Sequence, residues 1–267
     1  MLMILKNCIR IRQIKNHYNM TNSSYKRADS IEFAKKVSRK IKGWYNNDTF
    51  HDNAVNRIVL QREEIISLLE SVKKVKVNKL LRYLDSSGFF YRPSSPNRHH
   101  NFPGGLAEHS LGVFRIVEEW NNMTPDERRN CELYKFNLYN KHVSSDIFTE
   151  IMNYDDMVIA SICHDLCKAK HYYFDGRIIR KHNSDNLGHR HASVSVNRLE
   201  ANNIKGQVCE ELLLAVLKHM RLYSKPNTNK ERENQIKGRA SMLTIAVWAA
   251  DKLDASRHPA GKLHKQF

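Results

Sequence analysis

Proline and glycine are scarce in this chain, six and ten among 267 residues. That scarcity, beside many Leu, Ile, Lys and Glu in long periodic runs, argues against a turn-rich β architecture and predicts an all-α protein. No stretch approaches the ~18 consecutive apolar residues of a membrane span, so no membrane partner is expected. Paired C-x-x-C spacing is missing as well. Cys8, Cys131, Cys163, Cys167 and Cys209 form an odd set, which fits a reducing, cytoplasmic setting rather than a disulfide scaffold. There is no internal repeat and no low-complexity block. Acidic residues are absent from positions 1–28, where Lys6, Arg10, Arg12, Lys15, Lys26 and Arg27 carry charge of one sign.

What the chain does have is apolar content and positive charge. At 41% hydrophobic residues it can bury a core, which excludes wholesale disorder. The formal net charge is +16, and beyond residue 28 there are still 38 basic residues against 28 acidic ones. Such a field favours polyanions, whether nucleic acid or a phosphorylated metabolite, and leans toward the former. Residues 1–28 read as a basic arm with three open explanations: an organellar leader, a flexible extension, or residues upstream of a second start at Met20.

Residues 29–88 read as a helical segment packing on the core. A helix is expected over Ser30–Tyr45, capped by Asp29 or Ser30. A second helical region over Asn53–Leu84 is split near Ser71–Val77 and closes at Asp85-Ser-Ser-Gly88. Residues 89–257 read as the main domain and 258–267 as a basic tail. Phe89–Gly105, with three prolines and two glycines, is an ordered loop delivering aromatics, arginines and histidines to a helix start. Thr124-Pro-Asp-Glu begins a helix with proline at its first position. Two helical runs follow over Ser144–Lys168, then a hairpin over His171–Arg180 with Asp175-Gly176 at its turn. Helices are expected over His189–Asn202, Gln207–Met220 and Arg239–Ser256.

Four of these runs place an ionisable residue where packing alone would not. Leu106, Val113, Ile116, Val117 and Trp120 trace a helical stripe on which His109 falls. Val158 and Ile162 lead down one face to Asp165, next to His164. Leu212 and Val216 lead to His219; Leu243 and Val247 lead to Asp251. Burying one unpaired polar group costs roughly 2–7 kcal/mol. Four such groups on four helices point to one shared partner, a cation, in preference to a buried salt-bridge network, which is weakly stabilising. Imidazole and carboxylate donors without thiolate suit Mn, Fe, Co, Ni or Zn. Cys163 and Cys167 flank the pair and read as small buried thiols before ligands. An ion so held acidifies water and polarises a phosphoryl oxygen, the chemistry of phosphoester hydrolysis.

The ordered set His109 … His164-Asp165 … Asp251 resembles the HD-domain metal-dependent phosphohydrolase superfamily over roughly residues 89–256. The likeness is strongest in His99-His-Asn-Phe-Pro-Gly-Gly-Leu-Ala-Glu-His109-Ser, His164-Asp-Leu-Cys-Lys168, Leu187-Gly-His189 and Leu217-Lys-His219-Met. It implies a helical bundle with a small hairpin after the dyad. It implies His109, His164, Asp165 and Asp251 as ligands of a first ion, and His189 and His219 as recruits for a second, ~3.5–4 Å away. His191 competes with His189, which is preferred for its preceding Gly188. Asp165 becomes the bridging catalytic carboxylate. Lys168 either contacts a phosphate oxygen or is a solvated lysine at a helix C-terminus. Arg92 and His99, in the loop, are expected to touch substrate; His171 and His182 are expected on the surface.

The loop pattern His-His-x-x-x-Gly-Gly-Leu-x-x-His-Ser looks most like bacterial HD-type 3′-to-5′ exoribonucleases and related phage or mobile-element HD proteins. Those exoribonucleases usually carry an OB-fold ahead of the HD domain, whereas the first 88 residues here read as arm and helix. The expected substrate is therefore a nucleic-acid phosphodiester or a nucleotide, single-stranded nucleic acid being one partner. The alternative is a catalytically idle scaffold that binds nucleic acid through its basic face. Oligomeric state is not encoded in any feature of the chain.

Overall fold

In the computed structural model of the protein, the described residues are 24–130, 149–176, 178–181, 191–204, 210–220 and 241–258. They form α1 (Ser24–Lys40), α2 (Asp48–Glu70), α3 (Asn78–Ser87), α4 (Gly105–Asn121), α5 (Pro125–Asn130) and α6 (Tyr154–Cys163). A 3₁₀ turn (Leu166–Lys170), strands β1 (Tyr172–Asp175) and β2 (Ile178–Lys181), and α7 (His191–Leu199) follow. A π-helical turn (Glu200–Ile204), α8 (Glu210–Lys218) and α9 (Met242–Arg257) complete the described elements. The all-α class with one hairpin is what is observed. The basic arm up to residue 23, the first of the two runs after Ser144, His182, His189 and the tail beyond 258 lie outside the described residues, as do Cys8, Cys131 and Cys209.

α4 packs on α6 and α9, and α8 joins α6, α7 and α9. α2 covers α4, and α1 covers α2. One continuous hydrophobic cluster runs from Phe33 on α1 through Trp120 on α4 to Leu253 on α9. Residues 29–88 thus share their core with the rest. None of the described helices is long and apolar enough to cross a membrane.

Local chemistry sets the boundaries. The break between α2 and α3 falls where it is expected. α3 stops at Gly88, whose φ of 84° is left-handed and strains any side chain. α1, however, starts at Ser24, so Asp29 lies inside it rather than capping it. The Asp29 carboxylate instead accepts a hydrogen bond from Arg62 at 2.9 Å. The same guanidinium forks onto both oxygens of Asp85, at 2.8 and 2.9 Å. α2 starts at Asp48, earlier than the periodicity predicts, because the Asn47 side chain accepts from the Thr49 amide at 2.7 Å. At α5, Thr124 and Glu127 exchange side-chain and backbone bonds as a capping box.

The helical run read as far as Lys168 ends at the dyad. α6 ends at Cys163, and Asp165 sits at φ −104°, ψ 20° before the 3₁₀ turn. His164 Nδ1 donates to Ser161 O at 2.7 Å, the carbonyl a continuing helix would reserve for the Asp165 amide. α8 stops in the same way: His219, one residue past its end, donates from Nδ1 to Val216 O at 2.6 Å. In both cases an imidazole caps a terminal carbonyl and turns its other nitrogen inward.

Candidate metal centre

The loop ahead of α4 is stapled over that helix by its own backbone. Gly104 N donates to Tyr91 O at 3.2 Å, Leu106 N to Arg92 O at 2.9 Å and Ser94 N to His100 O at 3.0 Å. Gly105 has no room for a side chain, since a Cβ there would meet His100 O at 2.1 Å. The result sets the rings of His99 and His100 with centroids 4.9 and 5.2 Å from that of His109.

Asp165 is the hub. His191 Nε2 lies 2.5 Å from its Oδ1 and His219 Nε2 3.5 Å from the same oxygen. His164 Nε2 and His109 Nε2 lie 3.4 and 3.6 Å from its Oδ2. The Lys168 ammonium hydrogen-bonds Oδ2 and reaches Ser94 Oγ at 3.4 Å. Asp251, from α9, joins through Oδ1, 3.1 Å from His109 Nε2 and 3.9 Å from His164 Nε2. Its Oδ2 accepts from Lys252 at 2.7 Å. His109, His164, Asp165, His219 and Asp251 are all buried.

The four imidazoles share one orientation. Each has Nδ1 tied outward: His109 to Asp254 Oδ2 at 2.6 Å, His164 to Ser161 O, His219 to Val216 O, and His191 to Cys167 Sγ at 3.1 Å. Each therefore turns Nε2 toward the two carboxylates, the pattern that fixes a histidine's tautomer behind a metal. His109 Nε2 and His164 Nε2 lie 3.2 Å apart. Two neutral rings donating from Nδ1 would face lone pair to lone pair there, so a cation or a proton belongs between them. His219 Nε2, buried, has no hydrogen bond among the described residues. These donors fit a divalent transition ion. His109, His164 and Asp165 bring ligand atoms within 4.8 Å of one another, as do Asp165, Cys167 and His191.

The charge states follow from these contacts. Burial depresses the basicity of His109, but hydrogen bonds to Asp251 and Asp254 outweigh it and raise its pKa to about 9. At His164 and His219 burial prevails and lowers both. Burial would raise Asp165, yet Lys168, His164 and His191 hold it well below the usual carboxylate range. Lys168 is pushed down by burial and up, on balance, by Asp165. Burial and the nearby Asp165 lift the Cys167 thiol to about 12, so it stays protonated.

The structure brings His109, His164, Asp165, His219, Asp251 and Lys168 together. His191 occupies the place beside Asp165 for which the sequence favours His189. The alternative of a solvated Lys168 is overturned, because that side chain is buried. His99 stands at the edge, its Nε2 buried without a hydrogen bond among the described residues; burial and the neighbouring His109 lower its pKa to about 3. Arg92 stands apart from the hub, its guanidinium over the Tyr91 ring at 5.4 Å. His171, expected on the surface, is buried instead, with its ring 4.7 Å from that of Tyr172. Sequence reasoning misses Asp254. A signal for it exists: it follows Asp251 by three residues and so shares a helix face. Gly112 makes room for it, since a Cβ there would fall 2.0 Å from Asp254 Oδ1.

No curated protein and no solved structure shows a significant match to the chain. The HD domain family model matches residues 106–256, more than half of the chain, and spans the elements that carry His109, the dyad, His191, His219 and Asp251. The chain therefore belongs to the HD domain family, whose members are in general metal-dependent phosphohydrolases.

Proposed function

We propose that this protein hydrolyses a phosphoester of a nucleotide or of single-stranded nucleic acid with the help of one or two divalent transition ions. The observation that carries this is the common orientation of four imidazoles, Nδ1 tied outward and Nε2 toward Asp165 and Asp251. His109, His164, Asp165 and Asp251 would hold a first ion. His219 and His191 would serve a second, His191 taking the role expected of His189, which lies outside the described residues. A bound ion supplies Lewis acidity to water and to the phosphoryl group.

The protein's own groups do the rest. Asp165 stays anionic and is shared between the two halves of the cluster. Lys168, held by Asp165 and Ser94, keeps a positive charge at the hub where a phosphate oxygen would be neutralised. His99, neutral and with its Nε2 without a hydrogen bond among the described residues, offers one to substrate; Arg92, on the same loop but apart from the hub, would meet a more distant part of the substrate. The net charge of +16 draws polyanionic substrates. Two free, buried thiols, Cys163 and Cys167, suit a reducing compartment such as the cytoplasm.

The test is metal analysis of the purified full-length chain joined to turnover assays on RNA, single-stranded DNA and a nucleotide panel with Mn²⁺, Fe²⁺, Co²⁺ and Ni²⁺. Metal-dependent hydrolysis that disappears in Asp165→Ala, with the folded state retained, is the expected result. No turnover with any ion, while nucleic acid binds equally to wild type and Asp165→Ala, would replace the enzyme by an idle scaffold.

A further inference from the structure

Beyond the Nδ1 edge of His109, a second group of ligand-type side chains meets. His100, from the loop, Glu108, on α4, and His258, just past α9, bring ligand atoms within 4.8 Å of one another. His100 is 2% exposed, and neither ring nitrogen has a hydrogen bond among the described residues. Its φ of 51° is the one left-handed value among described residues other than glycine. The Ser94 amide holds its backbone carbonyl, yet the buried side chain of this strained residue satisfies neither nitrogen. The His100 and His258 rings lie 4.5 Å apart. Asp254 faces both, its Oδ2 3.6 Å from His100 Nε2 and its Oδ1 3.5 Å from His258 Nδ1. Glu108 is fixed from one side: Gln61 donates to its Oε2 at 2.9 Å and Arg57 Nε stands 3.6 Å from the same oxygen.

We propose that His100, His258 and Glu108 form an additional cation site, separate from the cluster around Asp165, with Asp254 standing between the two. Two imidazoles and a carboxylate without thiolate match a borderline divalent ion such as Zn²⁺ or Co²⁺, and exclude a hard, all-oxygen Ca²⁺ site. Glu108 and His258 are half-buried, so the ion keeps an open side toward water. The site does not depend on the hydrolytic reading, because none of its three ligands touches Asp165.

The full-length chain, stripped with chelator, is titrated with Co²⁺ and followed by its visible absorption, in wild type, in E108Q/H258Q, in Asp165→Ala and in all three changes together. Both Glu108 and His258 are partly exposed, so the double variant keeps its helices, which circular dichroism verifies; His100→Ala gives an independent route to the same site. The expected result is one equivalent fewer in the double variant and in His100→Ala, loss of a spectrally different equivalent in Asp165→Ala, and no binding in the triple variant. Wild-type stoichiometry and spectrum in the double variant, or complete loss of binding in Asp165→Ala alone, would overturn the proposal. A double variant that loses its equivalent while Asp165→Ala titrates like wild type would sink the hydrolytic reading and leave this one standing.

Discussion

Among single residues, Asp254 has the widest reach. It binds His109 Nδ1 at 2.6 Å, and that bond decides which nitrogen of His109 faces the hub. Asp254→Asn preserves volume and removes the charge behind the imidazole. Loss of such a supporting carboxylate typically weakens metal binding ~10–100-fold. Chelator competition on the full-length variant measures that constant, and an unchanged value would mean that the ring is oriented without Asp254. Most of the hub is legible residue by residue, because His109 falls on an apolar helical stripe and His219 and Asp251 each follow one. Asp254 is not, since an acid three residues after another also reads as a solvated helix face. The preference for His189 over His191 rests on a neighbouring glycine. Residues two apart point in different directions on a helix, and local sequence does not say which of them the bundle faces.

At the level of elements, Arg62 ties three helices together. Its buried guanidinium on α2 bonds Asp29 on α1 and Asp85 on α3. Arg62→Ala leaves those carboxylates without their partner. Both remain partly exposed to water, so the expected loss is about 2 kcal/mol rather than that of a fully desolvated pair. Urea unfolding reads this as a lower midpoint at unchanged slope. The order of helices and the hairpin can be read from periodicity and the Asp175-Gly176 turn. The unwinding after Cys163 cannot. It comes from His164 capping Ser161 O, a side-chain-to-backbone bond that a hydrophobic pattern does not register. That unwinding is what brings adjacent residues to one point, since neighbours on an intact helix diverge by ~100°. The start of α1 departs from expectation for a related reason. Asp29 has the chemistry of a cap, and only the distant Arg62 determines that it serves as an ion-pair partner.

Across the whole molecule, the hub gathers like charges and lone pairs that a cation would reconcile. Ion binding should therefore appear as stability: free Mn²⁺ at roughly 100 times its dissociation constant adds about 2.7 kcal/mol to the folded state. Differential scanning fluorimetry of the full chain should show a higher Tm with Mn²⁺ and its reversal by chelator, and a Tm indifferent to both would argue that no such ion is held. The bonds from His109 to Asp251 and Asp254 span 142 and 145 residues of chain. Contacts so distant along the polypeptide are closed late, after the loop entropy between them has been overcome. A ribosome-bound chain that has already exposed the dyad has yet to emit α9, so it can hold an ion only loosely. On the proposed function, tight capture of an ion would wait on α9, because Asp251 and Asp254 reach the hub only with that helix.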